Sequence, residues 1–327
     1  MNIDNLITLI VPVRDRHYNL PSILHYYKDT KFRKIIYDAS VNPYEGDHAG
    51  FEYHHAGPEF QTVSYLNSHS LAKTPYLINC PDDDIMTIES LEMCVKFLEE
   101  NPSYSACDGS VMEFNPDVRD VKPVPKEEVY QARVLHNWEN ENIDERLDFA
   151  IVQCSRSCLH SVLRTKQSVK ILQNFIDNKE ITPLSFLDRV YTFATLCMGP
   201  IKTLQVPHHI RTANQRTNAD RVMFDKKIAN EVIDGFSLQL DVAMADHIDK
   251  FHCSKFSDFL SENAKISKEE AVEKTIKIFK KHFATRVENG GGGYFGPSIP
   301  LDKVILPYKN QQMVDIILKA VMSMEVK

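Results

Sequence analysis

A chain of 327 residues, 43% hydrophobic and 25% charged, has the composition of a globular protein and the length for one large or two ordinary cores. No run approaches the roughly 20 apolar residues needed to span a bilayer, so no transmembrane segment is expected, and a formal charge of −7 argues against indiscriminate nucleic-acid binding. Seven scattered cysteines form no CxxC pair, and the N-terminus lacks the basic start of a signal peptide, so the expected location is cytoplasmic.

Leu6 to Val11 is a continuous apolar and β-branched run closed by Pro12, the pattern of a strand buried on both faces. Arg14-Asp15-Arg16 then makes a polar loop, and Leu20 to Tyr27 a helix with Pro21 in its first turn. Lys34 to Tyr37 predicts a second strand ending at Asp38, Phe51 to His54 a third, and Phe60 to Ala72 a helix leading to the strand at Tyr76.

That strand runs into Asp82-Asp83-Asp84. On an extended backbone Asp82 and Asp84 share a face while Asp83 turns away. Three clustered carboxylates repel one another, and a bound divalent cation relieves the repulsion. Oxygen-only ligands suit Mg²⁺ or Mn²⁺, with water and substrate phosphate completing the shell. The ordinary alternative is an Asp-rich turn ahead of a helix.

Thr87 is placed to cap a helix whose apolar residues Ile88, Leu91, Val95 and Leu98 keep helical spacing. Strands alternating with helices imply βαβ units around a mostly parallel sheet, with ligands at the carboxyl ends of the strands. Asp15, Asp38 and Asp82 to Asp84 all fall just past strand ends. The charge-rich and proline-rich stretch 116–143 reads as a surface excursion containing Trp138. Farther on, Ser267 to Glu270 matches a capping box, with Val272, Ile276, Phe279 and Phe283 as the apolar stripe of the helix that follows.

With these pieces in place, the first part of the chain resembles the nucleotide-sugar-dependent glycosyltransferases of the GT-A fold, in particular a bacterial group related to family 2. Ile10 to Arg16 is similar to the opening strand and Pro-Thr-Tyr-Asn-Arg signature, Ile36 to Ser40 to the Asp-x-Ser strand end, and Thr74 to Asp84 to the strand leading to the DXD motif. The likeness is good to about residue 115, weaker to about 220 and absent beyond. It implies a Rossmann-like α/β domain over residues 1–225 and a UDP-sugar as donor, while the region 226–327 reads from its own residue pattern as mainly helical.

The resemblance further implies that Asp38 contacts the base, that Asp82 meets the ribose or metal, and that Asp84 holds a Mn²⁺ or Mg²⁺ ion on the diphosphate. Pro12 and Arg14 would shape the nucleotide pocket, and Asp83 belongs with the donor-binding loop. Where the family has Thr-Tyr-Asn, this chain has Val13-Arg14-Asp15, which leaves the role of Asp15 open. An inverting enzyme also needs a carboxylate base, for which Asp188 is the first choice and Glu180 the second. Members of the fold often complete the metal or diphosphate site with a late His or Arg. Here His208 or His209 would be the metal ligand, with His208 carried forward, and Arg211 with Arg216 and Arg221 a phosphate clamp. Glycans or polysaccharide precursors are the acceptors the resemblance implies. The basic residues Arg156, Arg164, Lys166 and Lys170 leave nucleic acid as a lesser alternative. Competing readings are a nucleotidyltransferase on a similar sheet and a noncatalytic nucleotide-sugar-binding module.

Overall fold

The first apolar run becomes β1 (Ile7–Val13), the strand around which the sheet is laid, in a computed structural model that describes residues 2–59, 61–114, 130–133, 137–153, 157–175, 184–212, 253–288 and 299–300. Its side chains alternate between two cores. Leu9, Val11 and Val13 enter one with α1 (Leu20–Tyr27) and α3 (Ile88–Glu100), whereas Ile10 enters the other beneath α2 (Gln61–Leu71). Burial on both faces explains the unbroken apolar run, since each fully buried aliphatic side chain is worth about 1.5–3 kcal/mol.

β1 pairs in parallel with β2 (Arg33–Asp38) and β4 (Tyr76–Asn79), and β2 in turn with β3 (Glu52–His55). The order β3-β2-β1-β4 is therefore wholly parallel. Beyond β4 the sheet becomes mixed. β8 (Val162–Arg164) runs antiparallel to β4 and to β6 (Ala106–Phe114), and β6 pairs antiparallel with β7 (Tyr130–Arg133) but parallel with the long β9 (Ile201–Thr212). β5 (Asp84–Met86) lies antiparallel on β9, and β10 (Ile299–Pro300) on β7. The α/β expectation holds, with the parallel strands where the carboxylates were placed.

Three local expectations are corrected. The stretch 116–143 is not only a surface excursion, because it contains β7 and the 2% exposed Trp138, whose backbone exchanges hydrogen bonds of 3.1 and 3.0 Å with Ile201. Thr87 does stand at the N-cap of α3, but its hydroxyl donates 2.5 Å to the Pro207 carbonyl instead of capping the helix. Among the described side chains of the helix Lys268–Glu288, Ala271, Thr275 and Ile278 are buried and Val272 and Ile276 are half-buried, while the side chains of Phe279 and Phe283 lie outside the described residues. The start of that helix is as read, with Glu270 N–H donating 3.1 Å to Ser267 Oγ.

The boundary placed near residue 225 lies outside the described residues. The described C-terminal helices, Cys253–Ala264 and Lys268–Glu288, bury Phe256, Phe259, Leu260 and Ile278 in the same core as Tyr191 and Phe193 of the helix Leu184–Met198. Lys274 to Asp144 (2.7 Å) and Lys281 to Asp148 (2.9 Å) add exposed ion pairs to the helix Ile143–Gln153, each worth at most about 1 kcal/mol. Apolar contact holds these helices in place.

A buried polar chain crosses the same core. Tyr191 donates to Ser168 Oγ (2.6 Å), Ser168 Oγ lies 2.5 Å from His69 Nδ1, and the Asn79 amide lies 2.7 Å from His69 Nε2 and donates 3.2 Å to the Leu159 carbonyl. Burial pulls the His69 pKa down from 6.5 to about 4, although Asn79 opposes the shift. Its neutral form is therefore the one the fold favours. Stability from this site is complete above about pH 6.5 and is lost as pH falls from there toward 4, with a slope approaching about 1.4 kcal/mol per pH unit. Thermal melts between pH 7 and 4 should show this decline, and His69→Gln, which cannot take up the proton, should make it shallower, with His160 contributing the remainder. A wild-type profile as shallow as that of the variant would contradict the assignment.

Candidate active site

The carboxyl ends of β2, β1 and β4 lie side by side, and each delivers part of one polar cluster, as open α/β sheets do at their ligand edge. Asp38 closes β2 and is fully buried. Its Oδ2 accepts from His17 Nε2 (2.9 Å) and from the Tyr53 hydroxyl (2.5 Å), and its Oδ1 from the Ser40 N–H (2.9 Å). Burial alone would raise its pKa, but the hydrogen bonds from Ser40 and Tyr53 and the charge of His17 outweigh it and hold the carboxyl below the usual range. It is thus an ionised acceptor at neutral pH. Around it stand aromatic and imidazole rings: His48 stacks on Tyr53 with centroids 4.3 Å apart, and Tyr44 lies 5.5 Å from His17.

After β1 the chain turns sharply. Asp15 adopts φ 53°, its N–H donates to Ser40 Oγ (2.7 Å), and its Oδ1 accepts from the Val41 N–H (3.1 Å). The residue whose role the sequence left open is therefore a latch between the loops after β1 and β2, in a conformation that Asp tolerates better than most side chains. Pro12 sits past the last β1 partner on β4, at Ile10, where a missing N–H costs the ladder least. Arg14 is half-buried with Asp15 and Glu59 in electrostatic reach, and burial lowers its pKa against their attraction.

Arg16 is the residue that reaches the acidic turn. Its Nε donates 2.9 Å to Asp82 Oδ2, Nη2 bonds Asp82 Oδ1, and Nη1 donates 3.0 Å to Asp83 Oδ2. The side chains of Asp82, Asp83 and Arg16 are 0%, 10% and 12% exposed, so this fork is largely out of water. It corrects the alternation argument. Asp84 N–H donates 3.1 Å to the Pro81 carbonyl, closing a tight turn in which Asp82 and Asp83 meet the same guanidinium; Asp83 does not point away from it.

Asp84 begins β5, and its Oδ2 accepts from His209 Nε2 at 2.7 Å, with both side chains 7% exposed. In the antiparallel pairing Asp84 is opposite Arg211, and Met86 opposite His209. His209 and Arg211, two residues apart, therefore share the face of Asp84, and His208 takes the other. His208 is correspondingly turned inward. Its Nδ1 lies 2.8 Å from Ser90 Oγ, and its Nε2 donates 2.9 Å to the His160 carbonyl. Both ring nitrogens of His208, the residue expected as a metal ligand, are thus engaged in joining β9 to α3 and to the His160 backbone. His160 and His209 rings lie 5.1 Å apart, and burial first, then His209, lowers the His160 pKa.

Two devices fix β5 and β9. The Tyr27 hydroxyl donates 2.6 Å to the Met86 carbonyl and accepts 2.9 Å from its N–H, tying β5 to α1. β6 meets β9 so closely at a register shift that a Cβ on Gly109 would lie 2.3 Å from the Val206 carbonyl oxygen and 2.9 Å from His208 Cβ.

Asp188 belongs to the helix Leu184–Met198, and its side chain lies outside the described residues, as do Glu180, Arg156, Arg216 and Arg221. Arg164 serves the scaffold, donating to the carbonyls of Tyr104, Leu98 and Asn101. Lys170 pairs with Glu262 at 2.5 Å. Among the described residues no group of three or more His, Cys, Asp or Glu side chains is arranged to hold a metal by itself. His17 and Tyr53 were not singled out from sequence, whereas His209 was named beside His208 and Arg16 only within the opening signature. Arg16 had a signal, since it occupies the place of the arginine in the signature that Pro12 opens.

No protein-family model matches the chain, and no curated protein matches its sequence. Among solved structures, the crystal structure of S. aureus TarS aligns over 88% of this chain at 11% identity and a TM-score of 0.42, covering 54% of its own chain. S. aureus TarS 1-349 in complex with UDP aligns over 87% of this chain and 92% of its own, at 11% identity and a TM-score of 0.42. The same fragment in complex with UDP-GlcNAc gives 11% identity and a TM-score of 0.40 over the same shares.

The close approach at Gly109 yields a direct expectation. Gly109→Ala should lower stability by about 1–3 kcal/mol through overpacking between β6 and β9, read as a lower midpoint in urea unfolding. An unchanged midpoint would contradict the approach.

Proposed function

We propose that this chain is a GT-A-type glycosyltransferase that uses a UDP-sugar and a divalent cation, Mn²⁺ or Mg²⁺, and transfers the sugar with inversion to a glycan or polysaccharide-precursor acceptor. The observation that supports this reading best is the convergence of Asp38, the Arg16 fork on Asp82 and Asp83, and the Asp84–His209 pair along one sheet edge. A nucleoside diphosphate needs an acceptor for base N–H groups at one end and positive charge at the other. Asp38, ionised and held rigidly by His17, Tyr53 and Ser40, suits the first need, and the neighbouring rings suit the flat base.

The donor set fits a cation. In this structure the chain's own guanidinium sits against Asp82 and a ring nitrogen of His209 against Asp84, so both carboxylates face groups that a cation could replace or join. Two carboxylates with the rest of the shell from phosphate and water is an ordinary arrangement for Mg²⁺. Asp82 and Asp84 would hold the ion, and His209 would orient Asp84 as a hydrogen-bonded support. Such an ion stabilises the negative charge that develops on the leaving diphosphate.

Asp188 is the proposed base, receiving the proton of the acceptor hydroxyl as it attacks the anomeric carbon. Arg211, on the face of Asp84, would bind phosphate. Acceptor choice is assigned to the residues beyond β9.

Asp84→Asn should cut Mn²⁺-dependent turnover of a UDP-sugar by about 10²-fold or more with its melting temperature retained; full activity in this variant would sink the metal assignment. Asp188→Asn should lower transfer by about 10²–10⁴-fold while calorimetric donor affinity stays near wild type. Equal loss of binding and transfer would remove Asp188 from the role of base.

A further inference from the structure

We infer that Arg16 is an exchangeable internal cation: it neutralises the acidic turn until the metal ion arrives and then turns its guanidinium to the donor diphosphate. The inference rests on the metal reading of Asp82 and Asp84 proposed above and adds to it a competition between a side chain and the ion. Its basis is occupancy. Both Asp82 oxygens accept from Arg16, and so does Asp83. A carboxylate already engaged by a bidentate guanidinium has its strongest lone-pair directions taken, so a metal cannot use Asp82 well while the fork is in place.

Charge counting points the same way. Asp82, Asp83 and Asp84 carry three negative charges, and Arg16 carries one positive charge against two of them. A divalent ion arriving alone must displace Arg16 and leave that guanidinium, only 12% exposed, without its acceptors. An ion arriving with a diphosphate brings two or more negative charges with it. Arg16 then exchanges carboxylate for phosphate, the other planar partner that its fork matches. Metal and nucleotide consequently bind together far better than either binds alone, which is positive coupling in the thermodynamic sense.

Arg16 stands where such an exchange is feasible. It follows the latched residue Asp15 and immediately precedes the short turn His17–Asn19, so its backbone is fixed beside both Asp38's partner His17 and the acidic turn. Rotation about its side-chain bonds is enough to carry the guanidinium from one anion to another.

The test is a Mn²⁺ titration by electron paramagnetic resonance, with and without UDP, on wild-type protein and Arg16→Gln. Wild type should bind Mn²⁺ weakly alone and at least tenfold more tightly with UDP. The Arg16→Gln variant should bind Mn²⁺ alone several-fold more tightly than wild type, and the gain from UDP should shrink to a few-fold. If the variant binds free Mn²⁺ no better than wild type, or keeps the full gain from UDP, the exchange is overturned while the metal site stands. Absence of Mn²⁺ binding by wild type with UDP present would overturn the metal reading and the exchange with it. Should Arg16→Gln fail to fold, Arg16→Lys keeps a charge but not the fork, and its affinity for Mn²⁺ alone should exceed that of wild type; equal or weaker affinity would overturn the proposal.

Discussion

The bidentate contact between Arg16 and Asp82, extended to Asp83, is the constraint on which the rest of the site depends. Carboxylates this close to one another and this far from water are tolerable only beside positive charge. Breaking one partner out of a buried pair costs about 3–5 kcal/mol unless another ion takes its place. The turn at Pro81 to Asp84 is therefore stable in the absence of ligand because of one side chain delivered from the loop after β1. That loop is fixed in turn by Asp15 and Ser40. A single run of contacts thus links the ends of β2, β1 and β4.

The other half of the site is set from much farther along the chain. Asp84 meets His209 across 125 residues of sequence, and it does so because β5 and β9 pair in a register that puts Asp84 opposite Arg211. Gly109 permits the close passage of β6 and β9, Tyr27 holds β5 from the other side, and Thr87 donates to the Pro207 carbonyl one residue before the histidine pair. His208 and His209 then divide their duties by strand alternation. One is built into the packing against α3 and the other stands beside the carboxylate. The same scaffold logic governs the C-terminal helices, whose phenylalanines complete the core under α2 and the helix Leu184–Met198.

Much of this was legible in the sequence wherever the signal was local and apolar. The runs at Leu6–Val11, Lys34–Tyr37 and Tyr76–Asn79 are buried on both faces, and such burial leaves no freedom in composition. Asp38 and the acidic triplet were found for the same reason, as polar residues immediately past those runs. Where the reading failed, a non-local pairing or a turn had intervened. The extended backbone assumed for Asp82 to Asp84 is replaced by a turn that Pro81 begins. The phase of β9 depends on its partner β5, which no local pattern announces. Trp138 lay in a charged stretch but is drawn into the sheet by Ile201. Arg16 was read only as part of a polar loop and of the opening signature, because its partners are 66 and 67 residues away.

Calorimetric titration of UDP-sugars with and without Mn²⁺ decides whether this sheet edge is the cation-dependent nucleotide diphosphate site proposed for it. Binding to one site per chain that tightens at least tenfold with Mn²⁺ is the predicted result. Absence of nucleotide binding, or binding indifferent to the cation, would contradict that assignment.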